Sequence, residues 1–153
     1  MASTYTTNIR LTKQGDGDNA NTWGEILNNV ISLVDQAVGT YTTITVGATS
    51  SVALTENSGS GDQARSAILE IAGTVGGAHT SIFVYLPSGA SKTYAIKNAV
   101  SANTTASDAV VLRVAGQTHG VTVPTGGIGY FFTNGTSVNS LNAAGFSAIT
   151  TTQ

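Results

Sequence analysis

The sequence predicts a mainly-β protein: an antiparallel sandwich or jelly-roll-like domain preceded by an extended arm and one amphipathic helix. Three observations predict it. From residue 40 onward, apolar side chains recur with period two in short runs, the pattern of half-buried strands. Turn-forming pairs separate those runs, and about eight short strands at this spacing fit a packed pair of sheets. One stretch alone, after residue 20, spaces its apolar residues by three and four, as a helix does. The chain therefore divides into an arm (1–20), a helix (21–39) and a β-domain (40–153).

The arm is polar and short-side-chained, and it ends in the turn formers Gly15-Asp16-Gly17-Asp18-Asn19. Within it, Thr7-Asn8-Ile9-Arg10-Leu11 alternates like a strand. It can add to a partner's sheet with Ile9 and Leu11 as the docking side chains; a frayed terminus is the alternative.

The helix begins at Thr22-Trp23-Gly24-Glu25, which fits a capping box. Trp23, Ile26, Leu27, Val30, Leu33, Val34 and Ala37 then share one face, and Gly39 stands where a glycine ends a helix. In heptad terms Trp23, Val30 and Ala37 take a positions, and Ile26 and Leu33 take d positions. Two heptads are too few for a coiled coil alone. The stripe either covers the β-domain or joins a short bundle about a symmetry axis.

After Gly39, Ile44, Val46, Ala48, Val52 and Leu54 fall on one parity, with Thr43, Thr45 and Thr49 on the other. Residues 57–62 read as a loop. Further strands are predicted from Ile68 to Ile71 and over 82–86, 93–98, 110–114, 121–123 and 128–133. The 82–86 strand is apolar on both faces and so central or interfacial. Turn signals stand at Gly76-Gly77, Pro87-Ser88-Gly89, Gly126-Gly127 and Asn134-Gly135. The tail from 143 to 153 is small and polar, either mobile or wrapped on a neighbour.

Only 9% of the 153 residues are charged, against about 25% in an average soluble domain, so Thr, Ser, Asn and Gly must fill the surface. Such a surface is easily desolvated against another subunit. A net charge of −2 supplies no basic face for nucleic acid and no Lys/Arg cluster for anionic lipid. No apolar run is long enough for a membrane helix, and the first residues lack the basic and apolar regions of a secretory signal. With no cysteine, disulfides and thiolate metal sites are excluded.

Enzymatic signatures are missing. His79 and His119 sit beside glycines in predicted loops, with little around them to build a zinc site. Asp16-Gly17-Asp18 invites a calcium reading, but the twelfth position of an EF-hand loop starting there is Leu27 rather than a carboxylate. The glycines from Gly73 to Gly77 do not lead into a phosphate-binding helix. No nucleophile elbow and no paired carboxylates are evident. No catalytic, metal or cofactor residue is assigned. The run Tyr130-Phe131-Phe132 alternates, with Tyr130 and Phe132 on one face and Phe131 on the other. Tyr130 and Phe132 are candidate ligand-facing aromatics that can stack on a sugar; core or subunit packing is the alternative.

The segment from 81 to 141 contains Leu86-Pro87-Ser88, Lys92-Thr93-Tyr94-Ala95-Ile96-Lys97-Asn98-Ala99, Gly120-Val121-Thr122-Val123-Pro124 and Tyr130-Phe131-Phe132-Thr133-Asn134-Gly135-Thr136. In this order the segments resemble a β-module of bacteriophage tail fibres and related virion appendages. Asn8-Ile9-Arg10-Leu11, then Gly15, then Thr22-Trp23-Gly24-Glu25-Ile26-Leu27-Asn28 is similar to the opening segment of many phage virion proteins. The resemblance implies a bacteriophage virion structural protein, a homotrimer made in the host bacterial cytoplasm and built into the virion. Its partners would be copies of itself, other virion proteins and a host surface glycan, with no nucleic acid and no membrane insertion. The chain lacks the long repetitive shaft of a long tail fibre, so a short fibre, a head-attached fibre or a capsid decoration protein, attached to the tail or capsid, is implied. The competing expectation is a receptor- or carbohydrate-binding module of a phage adsorption apparatus.

Overall fold

The computed structural model describes residues 2–47, 51–74, 81–101 and 109–141. Ala48, Thr49, Gly76, Gly77, His79 and the 143–153 tail lie outside the described residues. The protein is mainly β with one helix, as the sequence predicts. A two-stranded hairpin, β1 (Thr4–Tyr5) and β2 (Thr12–Lys13), comes first, followed by α1 (Trp23–Gly39). Then come β3 (Tyr41–Thr45), β4 (Ser51–Ala53), a 3-10 turn (Gln63–Arg65), β5 (Ile68–Thr74), β6 (Ser81–Leu86), β7 (Ser91–Ser101) and β8 (Ala109–Val114). β9 (Gly120–Val123), β10 (Ile128–Asn134) and β11 (Val138–Ser140) complete the order.

The strands form a five-stranded sheet, β11-β10-β7-β5-β3, and a four-stranded sheet, β4-β6-β8-β9. From β3 to β8 the chain alternates between the two sheets, and each return adds a strand parallel to the one before. This is a short β-solenoid of three turns. Its period is legible in the register: Tyr41 pairs with Ile68 and Ile68 with Ala95, a step of 27 residues each time. β8–β9, β7–β10 and β10–β11 are antiparallel, so the winding reverses and β11 comes to lie beside β9 at that end.

The pairing therefore differs from the antiparallel expectation: two parallel pairs in each sheet make up the solenoid. The reason is that turn chemistry shows where a strand ends, not which sheet the next one joins. Parallel neighbours need a crossover, and here the crossover is a strand of the opposite sheet rather than a helix. Asn134-Gly135, the strongest hairpin dipeptide in the sequence, does join two neighbours in one sheet, with Gly135 at φ 88°.

Period-two patterning fills the space between the sheets. Leu69, Ile71, Tyr94, Ile96, Val100 and Phe131 from one sheet meet Ile82, Val84, Leu86, Val110, Leu112, Val114 and Val123 from the other in one core. Each such aliphatic side chain, fully buried, contributes about 1.5–3 kcal/mol of transfer free energy. Asn98, within β7, is also buried: its Nδ2 donates to Val123 O at 2.9 Å and its Oδ1 accepts from Val100 N at 3.1 Å. The 82–86 strand is central in its sheet, as its apolar faces predict. On its outward side Phe83 carries the Arg113 guanidinium 3.9 Å from the ring centre.

Candidate docking surfaces

Residues 4–13 of the predicted arm are folded back as a hairpin rather than extended. Thr6 N bonds Leu11 O at 2.9 Å, and Arg10 takes a left-handed φ of 53° in the bend. Arg10 Nη2 reaches both carboxylate oxygens of Asp62, at 3.0 and 2.9 Å. Asp62 also accepts from the backbone of Arg65 at 2.7 Å and of Asn57 at 2.9 Å. Arg65, fully buried, donates from Nε to Ile9 O at 2.9 Å, from Nη2 to Asn57 O at 3.0 Å, and from Nη1 to Ser60 O. Burial pushes the Arg65 guanidinium below its ordinary range, opposed by the Asp62 carboxylate.

Asn8 Oδ1 adds a bond from Ser91 N at 3.0 Å. Ile9 and Leu11 are thus half-buried in a bend clasped to the chain's own body. The alternating pattern around Arg10 was visible in the sequence, but its buried partners Asp62 and Arg65 were not. A lone Asp-x-x-Arg in a polar loop gives no signal of burial.

Helix α1 also departs from expectation at its start. The Thr22 side chain makes no cap bond and instead donates to Asn19 O at 3.3 Å, so the capping box does not form. The apolar stripe is split. Leu33 is buried, and Ile26, Val30 and Ala37 are half-buried. Asn29 Nδ2 donates to Gly59 O and Gln36 Nε2 to Asp62 O, both at 2.8 Å, which fixes this side of the helix to the body.

Trp23, Leu27 and Val34 are exposed, and so are Ile31 (58%) and Val38 (76%), two residues absent from the predicted stripe. One face therefore served for prediction where the helix has two. Ile31 and Val38 follow Leu27 and Val34 by four residues, the signal that reveals the second face. Beside it, Trp23, Ile26, Leu27 and Val30 border a 220 Å³ groove closed by Thr12 and Gln14 of the hairpin.

The outer face of the five-stranded sheet is a second apolar surface. Register aligns Tyr130, Ala95, Ile68 and Tyr41 in one row across four strands. At its ends Tyr130 is more than half exposed and Tyr41 about half. The next row carries Ile128, Lys97, Glu70 and Thr43. Lys97 Nζ lies 2.7 Å from Glu70 Oε1, and that bond, with a second from Tyr41, holds the Glu70 carboxyl below its ordinary range. The same contacts push Tyr41 and Lys97 up.

Phe131 points into the core at 4% exposure, with Tyr130 on the outer face, as alternation predicts. Phe132 shares the parity of Tyr130 but is half-buried, and with Ser91, Lys92, Thr93 and Leu141 it lines an open hollow of 390 Å³.

His119 is exposed beside Thr118, and Asp16 and Asp18 flank a turn at Gly17. Among the described residues no group of three or more His, Asp or Glu side chains is placed to hold a metal, and no helix is long and apolar enough to cross a membrane. Comparisons of the chain with protein-family models, with curated proteins and with solved structures find no match.

Proposed function

We propose that this chain is a bacteriophage virion structural protein, a short homotrimeric fibre or decoration protein attached to the tail or capsid, with a mechanical rather than catalytic role. The carrying observation is the outward face of α1. A helix already fixed to its body presents Leu27, Ile31, Val34 and Val38 to solvent, on a chain with few charges to keep copies apart. The short solenoid supports the reading, because a wound β-body is stiff along its stacking direction. The resemblance of 81–141 and of the opening segment to virion appendage proteins points the same way. The test is gold labelling of purified particles with an antibody to this chain. Label at one class of position on the tail or capsid is expected, and absence of the chain from particles overturns the reading.

The row of Tyr130 and Tyr41 favours a second reading, a carbohydrate- or receptor-binding module. Three strand spacings put the two tyrosines about 14 Å apart, far enough to contact separate sugar rings over an apolar floor. A glycan array probed with wild type and Tyr130→Ala decides it. Binding lost in the variant supports the module, and no binding by wild type removes it.

A further inference from the structure

We infer that the partner covering the outward face of α1 is the same face of two further copies, packed as a parallel three-helix bundle whose seam is Leu27, Ile31, Val34 and Val38. The inference rests on the assembly reading above and names its contact surface. Spacings of four, three and four make Ile31 and Val38 a positions and Leu27 and Val34 d positions of one heptad frame, with Gly24 as the preceding a. That frame is shifted by one residue from the one the sequence suggested.

In the shifted frame Asn29 and Gln36 fall at f, diametrically opposite the seam, and they are the side chains bonded to Gly59 O and Asp62 O. The helix is therefore anchored by its back, and three bodies can sit outside a central bundle without moving. A seam of two heptads is too short to fold a bundle from free peptides. Here Leu33 and the f-position bonds hold the helix in place beforehand, so association does not have to supply the cost of folding it.

The seam chemistry selects the occupant. Ile31, Val34 and Val38 are β-branched at both a and d, which favours three or four strands over two. The g positions Trp23, Val30 and Ala37 widen the apolar face, as a bundle of three requires. The flanking e positions are Asn28 and Asp35, so parallel copies bring Asp35 toward an apolar g flank and no like charges meet. With no Lys or Arg on the helix, an anionic membrane surface has nothing to hold.

The experiment uses the full chain at micromolar concentration, with light scattering for mass and circular dichroism for folding. Wild type is expected at three times 15.5 kDa. Ile31→Lys is expected to be folded and monomeric, while Ser32→Lys, exposed at a b position away from the seam, stays trimeric. The chain has no cysteine of its own, so Val38→Cys is a clean probe of direction. Parallel packing brings the introduced thiols of two copies together and yields a disulfide-linked dimer band on mild oxidation. An antiparallel pair of copies places that position near Gly24 and yields none.

A trimer that survives Ile31→Lys, or a trimeric Val38→Cys that does not cross-link, overturns the seam and leaves the assembly reading standing. A monomeric wild type overturns both. If Ile31→Lys unfolds, Ile31→Ser gives the same comparison without a buried charge.

Discussion

Among the described residues, Asp62 is the carboxylate most deeply tied into the fold, and replacing it with Ala should be strongly destabilising. Asp62 accepts two bonds from Arg10, one from the backbone of Arg65 and one from that of Asn57, and its carboxylate lies 3.3 Å from Arg65 Nη2. Both the Asp62 and Arg65 side chains are fully buried, and Arg10 is nearly so. The alanine variant leaves two guanidinium groups without their counter-ion, one of them out of reach of water. Breaking a buried pair in this way costs about 3–5 kcal/mol. For a chain of this length that corresponds to a fall of about 6–20 °C in Tm.

Arg10→Met should cost less, about 1–3 kcal/mol, because Arg65 keeps its carbonyl partners and Asp62 its two backbone donors. The two changes should be non-additive, since each removes the same ion pair. Thermal melts give the magnitudes. Trypsin gives the mechanism, because releasing the hairpin exposes the bond after Lys13, so both variants should be cut there faster than wild type. An Asp62→Ala variant melting within about 2 °C of wild type, well under the expected fall, would refute the clasp and return the arm to the extended state the sequence suggested.

The body-facing side of α1 should be sensitive where its neighbour is not: Leu33→Ala should lower stability by about 2–5 kcal/mol, and Ser32→Ala by less than about 0.5 kcal/mol, as read from urea midpoints. Lys92 gives a pH test. Burial pushes its amine down to about 8, although it donates to Ser66 O at 2.8 Å and lies 4.2 Å from the Tyr94 ring centre. A lysine whose pKa falls on folding holds its proton more tightly when unfolded, so stability rises as pH climbs from 8 toward 10. Allowing for its partial exposure, the gain should be about 1–2 kcal/mol, and Lys92→Met should abolish it in melts at pH 8 and pH 10. Gly73→Ala should cost about 2–6 kcal/mol, because φ is +131° and an added Cβ would stand 2.1 Å from Val46 O. Gly116→Ala, at φ +81° with open space around it, should cost about 1–2 kcal/mol. Equal melts for the two glycine variants would mean that β5 does not approach residue 46 as closely as the structure has it.

Local pattern by itself determined most of the elements of this protein. Period-two alternation located the strands at 68–71, 82–86, 93–98, 110–114, 121–123 and 128–133, because a pleated strand shows one face to the core whatever its partner. It also placed Phe131 inside and Tyr130 outside, and three-and-four spacing located α1. Tertiary structure decided what those local rules leave free. Alternation is the same in parallel and antiparallel ladders, so the three-turn winding appears only when Tyr41, Ile68 and Ala95 are seen side by side. Backbone repetition set that 27-residue step, and the three residues share no side-chain type that would have announced it. Apolar spacing says that a helix has a sticky face but not whether the body or a partner covers it. The docking of Leu33, Asn29 and Gln36 turned one side inward and left Ile31 and Val38 outward. The Arg10–Asp62–Arg65 cluster was the least legible feature, because a charge can be buried only where a partner far away in the chain arrives to pair with it.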